Sequence, residues 1–289
     1  MKNRPLIILG MHRAGTSMLV NILERLGVFF GKWMDINSES TFFLRMNEWI
    51  FEQTNASWDN PYNFKFINDD LKQNMLKVLR SHVKGLRRIE YMGVGRLLKY
   101  GHITDIDRPW GWKDPRNTFT ADLWKMIFPE ALLLHVYRNP IDVASSLRQR
   151  EQKIKEEYSR NWKKYIMERM LMGKIWYQGS IRTQDIMEGI RLWEEYTNKA
   201  FSLDSDFGER IVHIKFEDVL AEPEKNITRI MNYAGISAGP DLLRDAIADL
   251  RYENRYKFLN DEDLVAVFNK IRDKELVVRL GYDKACDER

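Results

Sequence analysis

Apolar positions along the chain alternate between short runs and helical stripes. Pro5–Leu9 is an apolar run closed by Gly10, and beyond it Leu19, Ile22, Leu23 and Leu26 recur at helical spacing across Ser17–Leu26. That order is strand, loop, helix. Phe42–Phe51 and Leu71–Leu98 also read as helices, the second interrupted near Gly85 and Gly93, with Asp69 and Asp70 as capping candidates. The pattern then changes to a short strand at Trp110–Lys113, a helix at Ala121–Phe128, an apolar strand at Ala131–Tyr137 and a helix at Ile141–Arg150 after Asn139-Pro140. Arg182–Phe201 continues as helix and Ile211–Lys215 resumes the strands. Glu217-Asp218 leads into a helix from Pro223 to Ala234 that Gly235 can end. Strands alternating with helices predict an α/β fold, a central parallel sheet flanked by helices, with ligands at the strand C-termini. The expected organisation is one domain over residues 1–289 with a helical insertion near 151–203, and the segment from about 237 to 289 unassigned.

Composition narrows this picture without redirecting it. A 289-residue chain with 44% hydrophobic and 12% aromatic residues can build a sizeable core. The formal net charge of +4 is too small to argue for nucleic acid and suits a small polyanionic ligand equally well. One cysteine, Cys286, excludes an intrachain disulfide framework and a Cys-rich metal site, and reads as an incidental thiol. The Leu6–Leu9 run is too short for a signal-peptide core, and no stretch reaches the roughly 18 apolar residues of a membrane helix. A soluble, cytoplasmic protein is expected.

Gly10-Met11-His12-Arg13-Ala14-Gly15-Thr16-Ser17 has the Gly-x4-Gly spacing of a phosphate-binding loop between a strand and a helix. Backbone N–H groups and the helix N-terminus can close there on a phosphate. A P-loop kinase or ATPase places Lys-Ser/Thr after the second glycine, whereas Thr16 occupies the lysine position here and Arg13 lies inside the loop. The strand Leu132–Tyr137 also runs into Arg138-Asn139 instead of an aspartate that could hold Mg²⁺. Both departures weigh against magnesium-nucleotide chemistry.

With both loops read, the chain resembles the sulfotransferase family that uses 3′-phosphoadenosine 5′-phosphosulfate (PAPS), particularly bacterial members and the related tyrosylprotein enzymes. His12-Arg13-Ala14-Gly15-Thr16-Ser17 resembles the family's 5′-phosphosulfate loop, with Ala14 in place of the usual serine. Tyr137-Arg138-Asn139-Pro140 through Ser146-Leu147 resembles the 3′-phosphate motif, an arginine ending a strand and a serine eight residues later. A guanidinium and a hydroxyl are suited to charge-assisted recognition of a phosphate. Asp142 is read as capping or orienting Arg138. Trp112-Lys113-Asp114-Pro115-Arg116 resembles the family's Lys-Asp-Pro segment, and Phe216–Pro223 a further segment read as structural.

The resemblance implies a PAPS donor, no metal, and in-line sulfuryl transfer to an acceptor hydroxyl. It implies donor contacts from His12, Arg13, Ala14, Gly15, Thr16, Ser17, Arg138 and Ser146, with Arg13 and Lys113 stabilising charge. The base is open between Glu39 and Asp35, with Glu39 slightly favoured and His12 as a third candidate; helix capping is the alternative role for both acids. Arg255 and Lys257 are weaker candidates for the 3′-phosphate. Between Arg138 and Trp176 ten Lys/Arg face five Asp/Glu, interleaved with Trp162, Tyr165, Met167, Met170, Met172 and Trp176. That segment reads either as a lid over an acceptor or as helix packing. The acceptor hydroxyl is expected on a glycan or glycolipid first, with a small molecule as the other option, and oligomeric state is left open. A P-loop kinase or ATPase and a noncatalytic nucleotide-binding protein remain the alternatives.

Overall fold

In a computed structural model, residues 4–160 and 179–288 are described, and the aromatic and Met-rich stretch from Trp162 to Trp176 lies outside them. The chain forms two compact units, Met1–Arg138 with Tyr196–Arg255, and Asn139–Glu195 with Tyr256–Arg289.

The first unit holds a four-stranded parallel sheet: β1 (Leu6–Leu9), β2 (Gly111–Lys113), β3 (Leu132–Tyr137) and β4 (Ile211–Lys215), in the order β2-β1-β3-β4. Period-two alternation sends the side chains of these strands to two separate cores. Ile7, Leu9 and Leu133 enter one, packed with Phe43, Leu79, Trp112 and Trp124; Leu6, Ile8, Leu132, Leu134 and Val136 enter the other, packed with Leu19, Leu23 and Ile227. The first core is covered by α2 (Thr41–Gln53), α3 (Asp69–Lys84), α4 (Ile89–Tyr100) and α5 (Asn117–Ile127); the second by α1 (Thr16–Arg25) and the helix Pro223–Ala234. From β1 the chain crosses to β2 on one side and later to β3 on the other. The C-terminal end of β1 is therefore the topological switch point, where parallel sheets open a crevice for ligands.

Several boundaries differ from the apolar pattern for local reasons. The cap of α3 is Asn68, whose side chain accepts from Leu71 N at 2.9 Å, while Asp69 and Asp70 occupy the first turn, where acids suit the helix dipole. Gly85 separates α3 from the next helical turn, and Gly93, at φ 73°, breaks the helical path within α4. Glu217 and Asp218 lie inside a short helix, Phe216–Ala221, and Gly235 ends the following helix in the left-handed conformation.

In the second unit, α6 (Pro140–Arg160) carries two acids that organise neighbouring backbone. Asp142 accepts from Lys257 N at 3.1 Å and Phe258 N at 2.8 Å, and Glu151 from Ser180 N at 2.7 Å. The C-terminal residues, unassigned by pattern, form Pro240–Ile247 in the first unit and Glu262–Ile271 and Glu275–Arg279 in the second. Among the described residues no helix is long and apolar enough to cross a membrane.

Candidate active site

The loop after β1 is shaped by three residues with positive φ: Gly10 at 134°, Arg13 at 70° and Gly15 at 95°. A Cβ on Gly10 would collide with the Val136 carbonyl oxygen, so glycine permits the close approach of loop and strand. A Cβ on Gly15 would lie 2.6 Å from Cε2 of Phe216, whose ring packs on the loop. Ala14 is buried and its N–H donates to the Met11 carbonyl at 3.2 Å, closing the turn, while the Arg13 side chain is exposed. Thr16 and Ser17 begin α1, so their N–H groups have no carbonyl four residues back within the helix to bond. Loop and helix start together suit an anion. His12 packs edge-on against Trp58 with ring centroids 4.7 Å apart.

Across the switch point, β2 ends at Lys113. Its Nζ donates to Glu39 Oε1 and to the Asn37 carbonyl, both at 2.9 Å. The same carbonyl accepts from Ser17 Oγ at 2.6 Å, so one backbone oxygen joins the first turn of α1 to the lysine. Lys113 and Glu39 are 3% and 4% exposed, which makes their ion pair a buried one. Burial pushes the Glu39 carboxyl up to about 7; the nearby Asp114 charge adds to the rise, and Lys113 and Arg116 oppose it.

Asp35 has a different setting. Its carboxylate accepts from the N–H groups of Asn37 and Glu39 at 2.9 and 2.8 Å and from Asn37 Nδ2 at 3.0 Å. Those bonds wind the 35–39 turn that presents Glu39, so of the two acids Glu39 meets the lysine and Asp35 shapes the backbone.

A buried polar network fixes the floor. Asp114 Oδ1 accepts from Arg116 N and Nε at 2.9 and 3.0 Å, while Asn47 Nδ2 donates to Asp114 Oδ2 at 2.9 Å and to Asn117 Oδ1 at 2.8 Å. Asn47 Oδ1 accepts from Thr120 Oγ1 and Trp124 Nε1, each at 2.9 Å. Both ends of this fully buried amide are satisfied, which locks α2 to the β2–α5 connection. Arg116 lies 3.6 Å from Glu39 and 3.1 Å from Glu48. Burial disfavours its charge, but Asp114 and then the two glutamates hold its pKa above the ordinary value. Asp114 and Arg116 stand in the Lys-Asp-Pro segment without roles assigned from sequence, and Asn47 stands within the helix expected over Phe42–Phe51. Their signal was polar residues set among apolar helix and strand positions, which must find partners when buried.

Arg138 follows β3. Its guanidinium lies 4.5 Å from the centroid of the Phe216 ring, and its Nη2 donates to the Asn254 carbonyl at 3.0 Å. Phe216 thus touches both the Gly10–Ser17 loop and Arg138, a contact not foreseen for a segment read as structural. Ser146 stands on α6 in the second unit. Asp142 receives Asn139 Nδ2 at 2.9 Å besides the two backbone donors of 257–258. Arg255 donates to Tyr252 Oη at 2.9 Å, and Lys257 is exposed.

A parallel α/β sheet with a glycine-bounded loop at its switch point, and a buried lysine–carboxylate pair beside it, defines a protein of the P-loop-like fold class. The profile of the sulfotransferase family matches residues 5–240, and the chain belongs to that family. Its activity class is accordingly sulfuryl transfer. Solved structures similar to it include a Mycobacterium tuberculosis sulfotransferase (13% identity, 87% of this chain and 72% of that one, TM-score 0.46). Others are a Mycobacterium avium sulfotransferase (15%, 94% and 77%, 0.45) and one from Alicyclobacillus acidocaldarius (15%, 88% and 95%, 0.44). No curated protein matches the sequence.

Proposed function

We propose that the chain transfers a sulfuryl group from PAPS to an acceptor hydroxyl, with Glu39 as the base and Lys113 and Arg13 as the charge-stabilising cations. The observation that carries this reading is the Asn37 carbonyl, which accepts from Ser17 Oγ at 2.6 Å and Lys113 Nζ at 2.9 Å and so sets the phosphate loop beside the Lys113–Glu39 pair. The donor supplies an already activated sulfuryl group. The N–H groups of the Gly15–Ser17 turn and the α1 N-terminus are suited to the 5′-phosphate, and the left-handed backbone at Arg13 and Gly15 keeps that turn open. Arg138, stacked on Phe216, is assigned to the 3′-phosphate, with Ser146 joined to it by the sequence motif alone.

Glu39 takes the acceptor proton at Oε. A carboxyl raised to about 7 is half ionised near neutral pH, so it combines availability with basicity. Lys113 remains to balance the negative charge that grows on the transferring group. The acceptor assigned is a glycan or glycolipid hydroxyl, on the bacterial character of the motif resemblance. In an assay of labelled sulfuryl transfer from PAPS to a panel of saccharide and lipid acceptors, Glu39→Gln is expected to lower kcat by about 10²–10⁴-fold. Binding of 3′-phosphoadenosine 5′-phosphate should be retained. An unimpaired kcat in that variant removes Glu39 as the base.

A further inference from the structure

We propose a second oxyanion-binding site, distinct from the phosphate loop, in the open cleft of about 520 Å³ formed around Lys32, Gly93, Arg96, Tyr100 and Arg108. Arg108 precedes β2 while Lys113 ends it, so this cleft belongs to the opposite end of that strand from the Lys113–Glu39 pair. It takes a sulfate monoester, phosphate monoester or carboxylate carried on a ring.

The cleft gathers three cations, Lys32, Arg96 and Arg108, the two arginines beside one aromatic ring. The guanidinium carbons of Arg96 and Arg108 lie 4.1 and 5.6 Å from the centroid of one ring, Phe29. Cation–π attraction holds each in place but neutralises neither. Among the described residues, no carboxylate is within ion-pair distance of Arg96, Arg108 or Lys32. Among the described residues Arg108 Nε is buried without a hydrogen-bond partner, a donor of the kind that a planar or tetrahedral oxyanion satisfies. The acid on the rim, Asp107, is engaged by Lys99 at 3.0 Å and by Tyr100 Oη. Glu24 feels the charge of Arg108 without forming an ion pair with it.

The third cation is positioned by backbone. Lys32 N donates to the Tyr91 carbonyl at 2.7 Å, and the Lys32 stem lies over Gly93, where a Cβ would stand 3.2 Å from Lys32 Cγ. The left-handed break of α4 at Gly93, with φ 73°, opens the helix surface that lets the stem pass. The volume exceeds that of a lone tetrahedral anion, and Val94 and Tyr100 line it with apolar surface for the ring that bears the charged group.

Arginine side-chain Nε–H resonances of the full-length protein, assigned by their loss in Arg96→Gln and Arg108→Gln, provide the test. Glucose 6-sulfate, glucose 6-phosphate and glucuronate are titrated at constant ionic strength, with glucose as the neutral control. The expected result is a saturable shift of both resonances with at least one charged sugar and none with glucose. The three charged sugars rank which oxyanion is preferred. Affinity should fall at least tenfold in Arg96→Gln and at least threefold in Lys32→Gln, a surface change that leaves the Phe29 ring untouched. Shifts that do not saturate, that glucose reproduces, or that both variants leave unchanged would overturn the site. The readout is independent of donor binding, so its failure leaves the proposed transfer reaction standing.

Discussion

Replacing Glu39 by Gln isolates the energetic consequence of burying that carboxyl. Burial raises its pKa from 4.5 to about 7, a difference equivalent to about 3 kcal/mol between the ionised and protonated forms. The folded state therefore holds a proton that the unfolded chain has already released between those two values. Its contribution to stability is present below pH 4.5 and is lost as pH rises through 7. The glutamine variant has no such proton, so the stability difference, variant minus wild type, should grow by about 3 kcal/mol from pH 4.5 to 8 in favour of the variant. The offset between the two curves depends on what Lys113 loses when its partner becomes neutral. The slope belongs to Glu39, because groups common to both proteins cancel. These include His135, whose pKa burial and then the His213 charge hold well below the ordinary value. Urea unfolding of both proteins at pH 5, 6, 7 and 8 provides the measurement. Parallel curves, or a difference that grows in the opposite direction, would refute the raised pKa and with it the basis for Glu39 as a base near neutrality.

Three further substitutions test the surrounding structure. Gly15→Ala forces a side chain into a φ of 95° and against the Phe216 ring, and should cost at least about 2 kcal/mol in urea unfolding. Asn47→Ala leaves the partners at Asp114, Asn117, Thr120 and Trp124 short of a bond in a dry interior, an expected loss of about 2–4 kcal/mol by the same assay. Lys113→Met keeps much of the stem's packing while removing the cation, and is expected to lower kcat by about 10²–10³-fold in the transfer assay; an unchanged kcat would remove Lys113 from the chemistry.

The fold was legible because β1 and β3 are almost continuously buried apolar runs that end at turn residues. Leu6–Leu9, Leu132–Tyr137 and Ile211–Lys215 could be marked from composition and length, and Gly10 and Gly15 bracketed the loop between strand and helix. The sheet order was beyond the pattern, since β2 contributes only three residues and reaches β1 through register with Leu6–Ile8. At the candidate site, the motif drew attention to Lys113 and left Asp35 and Glu39 as near equals. The distinction is made by a turn: Asp35 accepts two backbone N–H groups, and that fold of the chain turns Glu39 toward the lysine. Phe216 and Asn47 were hidden because their importance comes from partners distant in sequence, Gly15 and Arg138 for the first, Asp114 and Trp124 for the second.

The donor reading is tested most directly by calorimetric titration of 3′-phosphoadenosine 5′-phosphate into the wild-type protein and Arg138→Ala, with and without EDTA and alongside ATP. The account predicts metal-independent binding in clear preference to ATP, weakened at least tenfold, or about 1.4 kcal/mol, when the guanidinium is removed. Absence of binding, or tight magnesium-dependent binding of ATP in its place, would contradict it.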